Sequence, residues 1–182
     1  MSPIQDQGQC GSCWAFSSVS ALESDYCIAN GTLYKLSEQQ LVDCVKLCFG
    51  CNGGNASLAF NYYQNHYAES ETAYPYTAKT GACNYNSAAA TVVKTTGWTN
   101  VTANSPDSMK SALANNPLSV AIQANQLVFQ MYSSGVFTDT SCGTQLDHAT
   151  NVVGWGTTGT MEYWIMRNSW GTAWGMQGYM QI

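Results

Sequence analysis

Gln7-Gly8-Gln9-Cys10-Gly11-Ser12-Cys13-Trp14-Ala15-Phe16-Ser17 sets a thiol at the start of an apolar helix, behind a glycine-containing turn. Trp14, Phe16, Val19, Ala21, Leu22 and Tyr26 recur at helical spacing, and Asn30-Gly31 closes the run. The unpaired N–H groups and positive dipole end of a helix start favour a thiolate, so Cys13 reads as a candidate nucleophile. Two other readings fit the same residues. Cys10 and Cys13 have the spacing of a redox disulfide, and Cys48-Phe49-Gly50-Cys51 supplies a second pair for a four-cysteine zinc site. Thirty-four residues separate Cys13 from Cys48, against the ~15–20 usual in zinc ribbons. On the local pattern alone the readings stay open.

Outward from this stretch, the N-terminal half reads helical. Ser37-Glu38-Gln39-Gln40 is a capping-box pattern that opens a short helix through Leu41, Val42 and Cys44. A third helix is expected over residues 57–65, and Tyr74-Pro75-Tyr76 breaks to loop. Beyond residue 98 the texture changes. Ser105-Pro106 reads as an N-cap with proline in the first turn, giving a helix that stops at Asn115-Asn116-Pro117. Leu118, Val120 and Ile122 then alternate with smaller or polar neighbours as in a strand. Further strands are expected at 149–153, 163–167 and 179–182, separated by glycine-rich turns. Helices first and strands later predict an α+β protein with two segregated lobes.

The 182-residue chain is 45% hydrophobic, with six Trp and eleven Tyr, which suffices for a real core. Only 9% of residues are charged and the net charge is −5. Six Lys plus Arg cannot form the basic face of a duplex binder, so nucleic acid is not an expected partner. No apolar run reaches the length of a membrane span. Eight Cys favour an oxidising compartment with disulfides. Asn30-Gly31-Thr32, Asn55-Ala56-Ser57 and Asn100-Val101-Thr102 are glycosylation acceptors by pattern, in a chain rich enough in Asn, Ser and Thr to give a few by chance.

The opening stretch resembles the nucleophile motif of the papain-like cysteine peptidases, Cys-Gly-[Ser/Ala]-Cys-[Trp/Tyr]. Three more segments match that family in its order. Cys51-Asn52-Gly53-Gly54 resembles the substrate-binding glycine loop, and Leu146-Asp147-His148-Ala149 the segment of the catalytic His. Asn168-Ser169-Trp170-Gly171, with Trp174-Gly175, resembles the segment of the orienting Asn. His148 follows Cys13 by 148 − 13 = 135 positions and Asn168 by 155, against the family's ~130–150. The resemblance runs the whole chain and is closest to the cathepsin L-like branch. It implies a two-lobed fold, a helical lobe over 1–99 and an antiparallel β-barrel-like lobe over 100–182, with the active site in the cleft between them.

The roles it implies each have a physical basis. A free thiol near pKa ~8.5 is mostly protonated in acid, and a paired imidazolium can lower it to ~3–4. His148 would be that imidazolium and later protonate the leaving amine. Asn168 would accept a hydrogen bond from the other ring nitrogen, shielded by Trp170. The Gln7 amide and the Cys13 backbone N–H would form the oxyanion hole. Gly54, beside Gly53, would pair its backbone with an extended substrate. Ala56, Ala121, Leu146 and Ala149 would wall the S2 site, with Asn55 at its rim and Asp147 beside it, favouring a bulky hydrophobic P2 residue. His66 reads as a solvent-facing residue at a helix end, and Trp155, Trp164 and Trp174 as packing aromatics.

The expected function is therefore a cysteine endopeptidase working through a thioester acyl-enzyme. The alternative is a catalytically silent papain-like peptide-binding protein; such homologues lose Cys, His or the oxyanion Gln, and all three stand here. No cofactor or metal is expected. Partners would be protein and peptide substrates and an inhibitory propeptide, on a monomer that is lysosomal, vacuolar or secreted. The family normally extends further at both ends, so the chain reads as a truncated peptidase domain. Family pairing implies disulfides Cys10–Cys51 and Cys44–Cys83. Cys27 lies ~21 Å along the helix from Cys13, too far from the Cys48 region for a bridge that needs ~7 Å. Cys142 would pair beyond residue 182.

Overall fold

A computed structural model describes residues 1–182. The chain divides into two compact units, Met1–Pro3 with Gln7–Asn100, and Ile4–Asp6 with Val101–Ile182. The first is helical: α1 (Cys13–Asn30), α2 (Glu38–Cys44) and α3 (Ala56–Asn65), with α1 packed on both others. Trp14, Val19, Leu22, Leu36, Leu41 and Tyr63 make its core; full burial of such a side chain contributes roughly 1.5–3 kcal/mol. Residues 14–24 of α1 are buried on every face, serines and Glu23 included. Two of the serines fit because their hydroxyls bond back into the helix, Ser18 Oγ to the Trp14 carbonyl at 2.7 Å and Ser24 Oγ to that of Ser20 at 2.8 Å. Ser37 caps α2, its Oγ accepting from Gln40 N at 3.0 Å and donating to the Tyr74 carbonyl at 2.6 Å. Asn55 caps α3 through Ser57 N at 2.8 Å, so that helix begins one residue earlier than its apolar pattern suggests.

Glu23 is buried with three donors: Ser2 Oγ at 2.5 Å, the Leu36 N–H at 2.8 Å and Lys35 Nζ at 3.3 Å. The same ammonium grips both Glu38 oxygens, at 2.7 and 2.9 Å. Burial pushes the Glu38 carboxyl up to about 7, outweighing the Lys35 charge. Burial also works against the Lys35 ammonium, but Glu38, Glu23 and Glu71 together hold it above its ordinary value. One half-buried cation thus serves several carboxyls, two of them fully buried.

Between α3 and the next helix the chain has no helix or regular strand. Side chains of α2 and a disulfide pin its first part. Gln39 accepts from Thr77 N at 2.9 Å and donates to the Lys79 carbonyl at 2.7 Å. Asp43 accepts from Gly81 N at 2.6 Å and from the Tyr74 hydroxyl at 2.8 Å. Cys44 is bonded to Cys83.

The second unit holds α4 (Pro106–Leu113), β1 (Leu118–Ile122), α5 (Leu127–Gln130), β2 (His148–Thr158), β3 (Met161–Arg167) and β4 (Tyr179–Gln181). The strands form one antiparallel sheet in the order β1-β2-β3-β4. Ser105 Oγ caps α4 at Ser108 N, 3.2 Å, with Pro106 in the first turn. Phe129, Tyr132, Met166 and Met180 form the core, backed by Trp170 and Trp174. Two features depart from the sequence reading. α5 was not expected, and β2 runs on to Thr158 instead of ending near Val153. Gly154 and Gly156 read as turn residues but lie inside the strand, past a bulge between Val152 and Gly154. A Cβ on Gly156 would sit 2.5 Å from the Tyr163 hydroxyl, so that glycine marks a close cross-strand approach. Trp155, on the same stretch, is 42% exposed and is no core residue.

Candidate active site

The thiol is placed by the start of α1. Cys13 is the first helical residue, and the Ser12 side chain gives no cap hydrogen bond. Ser12 Oγ instead meets the Tyr76 hydroxyl at 2.6 Å, and that hydroxyl donates to the Gln7 carbonyl at 2.8 Å. No acidic residue occupies the first turn. The positive end of an 18-residue helix therefore lies at the thiol, with no carboxylate in the helix's own first turn to offset it. Gln7 is buried, and its Nε2 donates to the Cys10 carbonyl at 3.0 Å.

Cys10 is bonded to Cys51, and this disulfide disposes of both alternatives left by the sequence. Cys10 is not paired with Cys13, and a disulfide sulfur cannot join a four-thiolate zinc site. No cluster of three or more His, Cys, Asp or Glu is disposed to hold a metal ion. Cys13, Cys27, Cys48 and Cys142 lie outside the disulfides. The bridge ties the glycine loop to the helix start, where the Gly11 N–H donates to the Cys51 carbonyl at 2.7 Å. Gly54 lies on the Trp14 indole: a Cβ there would meet Trp14 Cδ2 at 2.5 Å and Cys48 Sγ at 2.9 Å. Asn55 is exposed at the α3 cap, and Ala56 opens that helix half-buried.

The imidazole is placed by the sheet. His148 opens β2, opposite Ile122 at the end of β1, and Ala149 faces Ala121 in the same register. The preceding turn is fixed by Asp147, whose N–H donates to the Ile122 carbonyl at 3.0 Å and whose carboxylate accepts from Ala124 N at 2.7 Å. Leu146, just before it, is 63% exposed. Beyond β3, Asn168 Oδ1 lies 2.8 Å from His148 Nε2 and 2.8 Å from the Ser169 N–H. A backbone N–H can only donate, so the Asn168 atom it meets is the oxygen. His148 Nε2 must then carry a proton to donate to that oxygen. In the neutral ring the lone pair is accordingly on Nδ1, the nitrogen able to take a proton from a partner. Trp170 covers the ring, centroids 4.8 Å apart, and is itself braced by Phe129 at 5.7 Å and Trp174 at 5.4 Å. Burial pushes the His148 imidazolium down, while the Asn168 hydrogen bond and the Asp147 charge work the other way.

Each expected site residue is thus placed within its own unit. The Ser169 N–H, Tyr76 and Phe129 were not foreseen: a backbone donor has no residue signature, and the two aromatics stand outside every motif. His66 is half-buried, stacked on Tyr62 at 4.2 Å and edge-on to Tyr85 at 5.3 Å, so it serves packing instead of facing solvent.

The family described as Papain family cysteine protease matches residues 1–182. The chain belongs to that family. It is 49% identical over 181 residues to a probable cysteine protease of Arabidopsis thaliana, covering 98% of this chain and 39% of that protein. It is 45% identical over 182 residues to chymopapain of Carica papaya, covering 100% of this chain and 51% of that protein. The chain therefore spans about half or less of the length of these two relatives. Among solved structures it is similar to the Carica candamarcensis cysteine protease in complex with E-64, with a TM-score of 0.92 and 38% identity. That match covers 100% of this chain and 83% of the other. The papain-like α+β fold follows from this likeness, together with the helices and antiparallel sheet described above.

Proposed function

We propose that the protein is a cysteine endopeptidase in which Cys13 attacks the scissile carbonyl and His148 handles the proton. The observation that carries this reading is the Asn168 oxygen shared by the Ser169 N–H and His148 Nε2, which leaves Nδ1 as the basic nitrogen. Family membership supports pairing that nitrogen with the Cys13 thiol. An ion pair of this kind opposes the burial that depresses the imidazolium and lowers the thiol's pKa. Attack then forms a tetrahedral oxyanion, for which the Cys13 N–H and the Gln7 amide are the donors. Collapse gives a thioester as His148 protonates the leaving amine, and water hydrolyses that acyl-enzyme by the reverse proton path. Asn168 orients the ring, and Trp170 keeps water from their hydrogen bond.

Gly53 and Gly54 present backbone to an extended peptide. Ala56, Ala121, Leu146 and Ala149, with Asn55 and Asp147 at the margins, take a bulky hydrophobic P2 side chain. Two disulfides support a vacuolar, lysosomal or secreted setting, for a monomer made with an inhibitory propeptide. The deciding experiment is labelling of the full gene product with the epoxide E-64. Stoichiometric, irreversible modification at Cys13, absent in Cys13→Ala together with peptide hydrolysis, is the expected result. Unchanged turnover in Cys13→Ala, or label on another cysteine, would remove Cys13 from the mechanism.

A further inference from the structure

The three Asn-x-Ser/Thr patterns sit in different structural settings, and the differences select one of them. Asn30 ends α1, and its Nδ2 donates to the Tyr26 carbonyl at 3.1 Å. Asn55 caps α3, its Oδ1 accepting from Ser57 N at 2.8 Å and from the Ser57 hydroxyl at 2.5 Å. That contact engages the acceptor pattern's own hydroxyl, and a glycan there would stand beside Gly54. Asn100 has neither constraint. It is exposed, as is Thr102, and the chain around it has no helix or strand. No native hydrogen bond has to be given up for its side chain to be modified.

A second observation bears on the same residue. Trp98, two positions before Asn100, leaves 39% of its surface exposed, while its Nε1 donates to Asn61 Oδ1 at 2.8 Å. The hydrogen bond anchors one edge of the indole and leaves apolar ring in water. The segment from Trp98 to Asn100 lies outside any helix or strand, and wherever such a chain extends, side chains two positions apart share a face. The C–H face of a pyranose is apolar and slightly positive, complementary to the negative face of an aromatic ring. We propose that Asn100 is an N-glycosylation site and that the Trp98 ring packs against the first sugar of its glycan.

The transfer uses an oligosaccharide carried on a polyisoprenyl diphosphate. The Asn100 side-chain nitrogen bonds to the anomeric carbon as the anomeric C–O bond breaks. The lipid diphosphate leaves with the bonding pair, and the amide nitrogen gives up one proton to base. The disulfides Cys10–Cys51 and Cys44–Cys83 belong to the oxidising compartment in which such acceptors are used.

The test is expression of the full gene product through a eukaryotic secretory pathway, followed by enzymatic deglycosylation in heavy-oxygen water. Position 100 is expected to read as aspartate carrying the heavy isotope. Thr102→Ala should lose one glycan step in gel mobility, and Thr102→Ser should keep it. Removing the glycan should lower the melting temperature of the parent, and of Trp98→Tyr, more than that of Trp98→Ala. Unmodified Asn100 in the secreted protein would overturn the site. An equal drop in all three proteins would overturn the role of Trp98.

Discussion

Replacing Glu38 by Gln should flatten the acid limb of the stability profile. Glu38 is buried against Lys35 with Glu23 in the same cluster, and its carboxyl titrates at about 7 instead of 4.5. Because burial raises the folded-state value, the folded protein binds more protons than the unfolded chain between those two pH values. The associated stability is fully present below pH 4.5 and is lost as pH rises through 7. At ~1.4 kcal/mol per pH unit the loss is about 3 kcal/mol, a large part of a typical ~5–15 kcal/mol total. Lys35 stays charged across this range because its ammonium is held above 10.5. Burial raises Glu69 as well, which adds in the same direction. Urea unfolding followed by Trp fluorescence from pH 4.5 to 8.5 measures the effect. The parent should lose stability toward neutral pH, and Glu38→Gln, which mimics the protonated carboxyl, should lose most of that slope. The lowered His148 works the other way in the same window, so the difference between parent and variant isolates Glu38, and a variant with the parent's slope would refute the assignment.

Asn168→Ala should lower kcat more than it raises KM, by no more than the ~10²–10⁴ that a positioned acid–base group supplies. It should be milder than Cys13→Ala, since the imidazole remains and loses only its orienter; a loss equal to that of Cys13→Ala, accompanied by a lowered melting temperature, would point to unfolding instead. Gly54→Ala should cost roughly 1–3 kcal/mol, because its Cβ would meet Trp14 carbons at 2.5 Å and the buried indole cannot retreat. Thermal melts check this, and a melting temperature equal to the parent's would show that the loop shifts freely.

What was legible in the sequence were features with a local signature. Ser37 and Ser105 are capping residues by type, and α2 and α4 start at them, whereas the sequence reading misses the Asn55 cap of α3 and starts that helix one residue late. α1 was legible from the spacing of its apolar residues. The full length of β2 was not, because glycine marks both turns and close approaches, and only the facing Tyr163 shows which applies at Gly156. α5, four residues long, has too few turns to show a period. At the site, family motifs name Cys13, His148 and Asn168, but a motif has no tautomer. The proton on Nε2 follows from the Ser169 N–H, a donor every non-proline residue possesses. The buried cluster was invisible for a related reason: Glu23 looks like an ordinary surface residue of a helix, and its partner Lys35 is twelve positions on.

The pinned segment after α3 has a consequence for the endopeptidase proposed above, to which its own irregular backbone would be a substrate. A chain must open locally before a second molecule can grip it. Around residues 74–83 such opening means releasing Tyr74, Thr77, Lys79 and Gly81 from the side chains of Gln39 and Asp43 together. Even then the Cys44–Cys83 bond holds the far end in place. Susceptibility to cutting follows the population of the open form. Two α2 side chains and one covalent tie thus make a stretch without helix or strand a poor target for any proteinase, a second copy included.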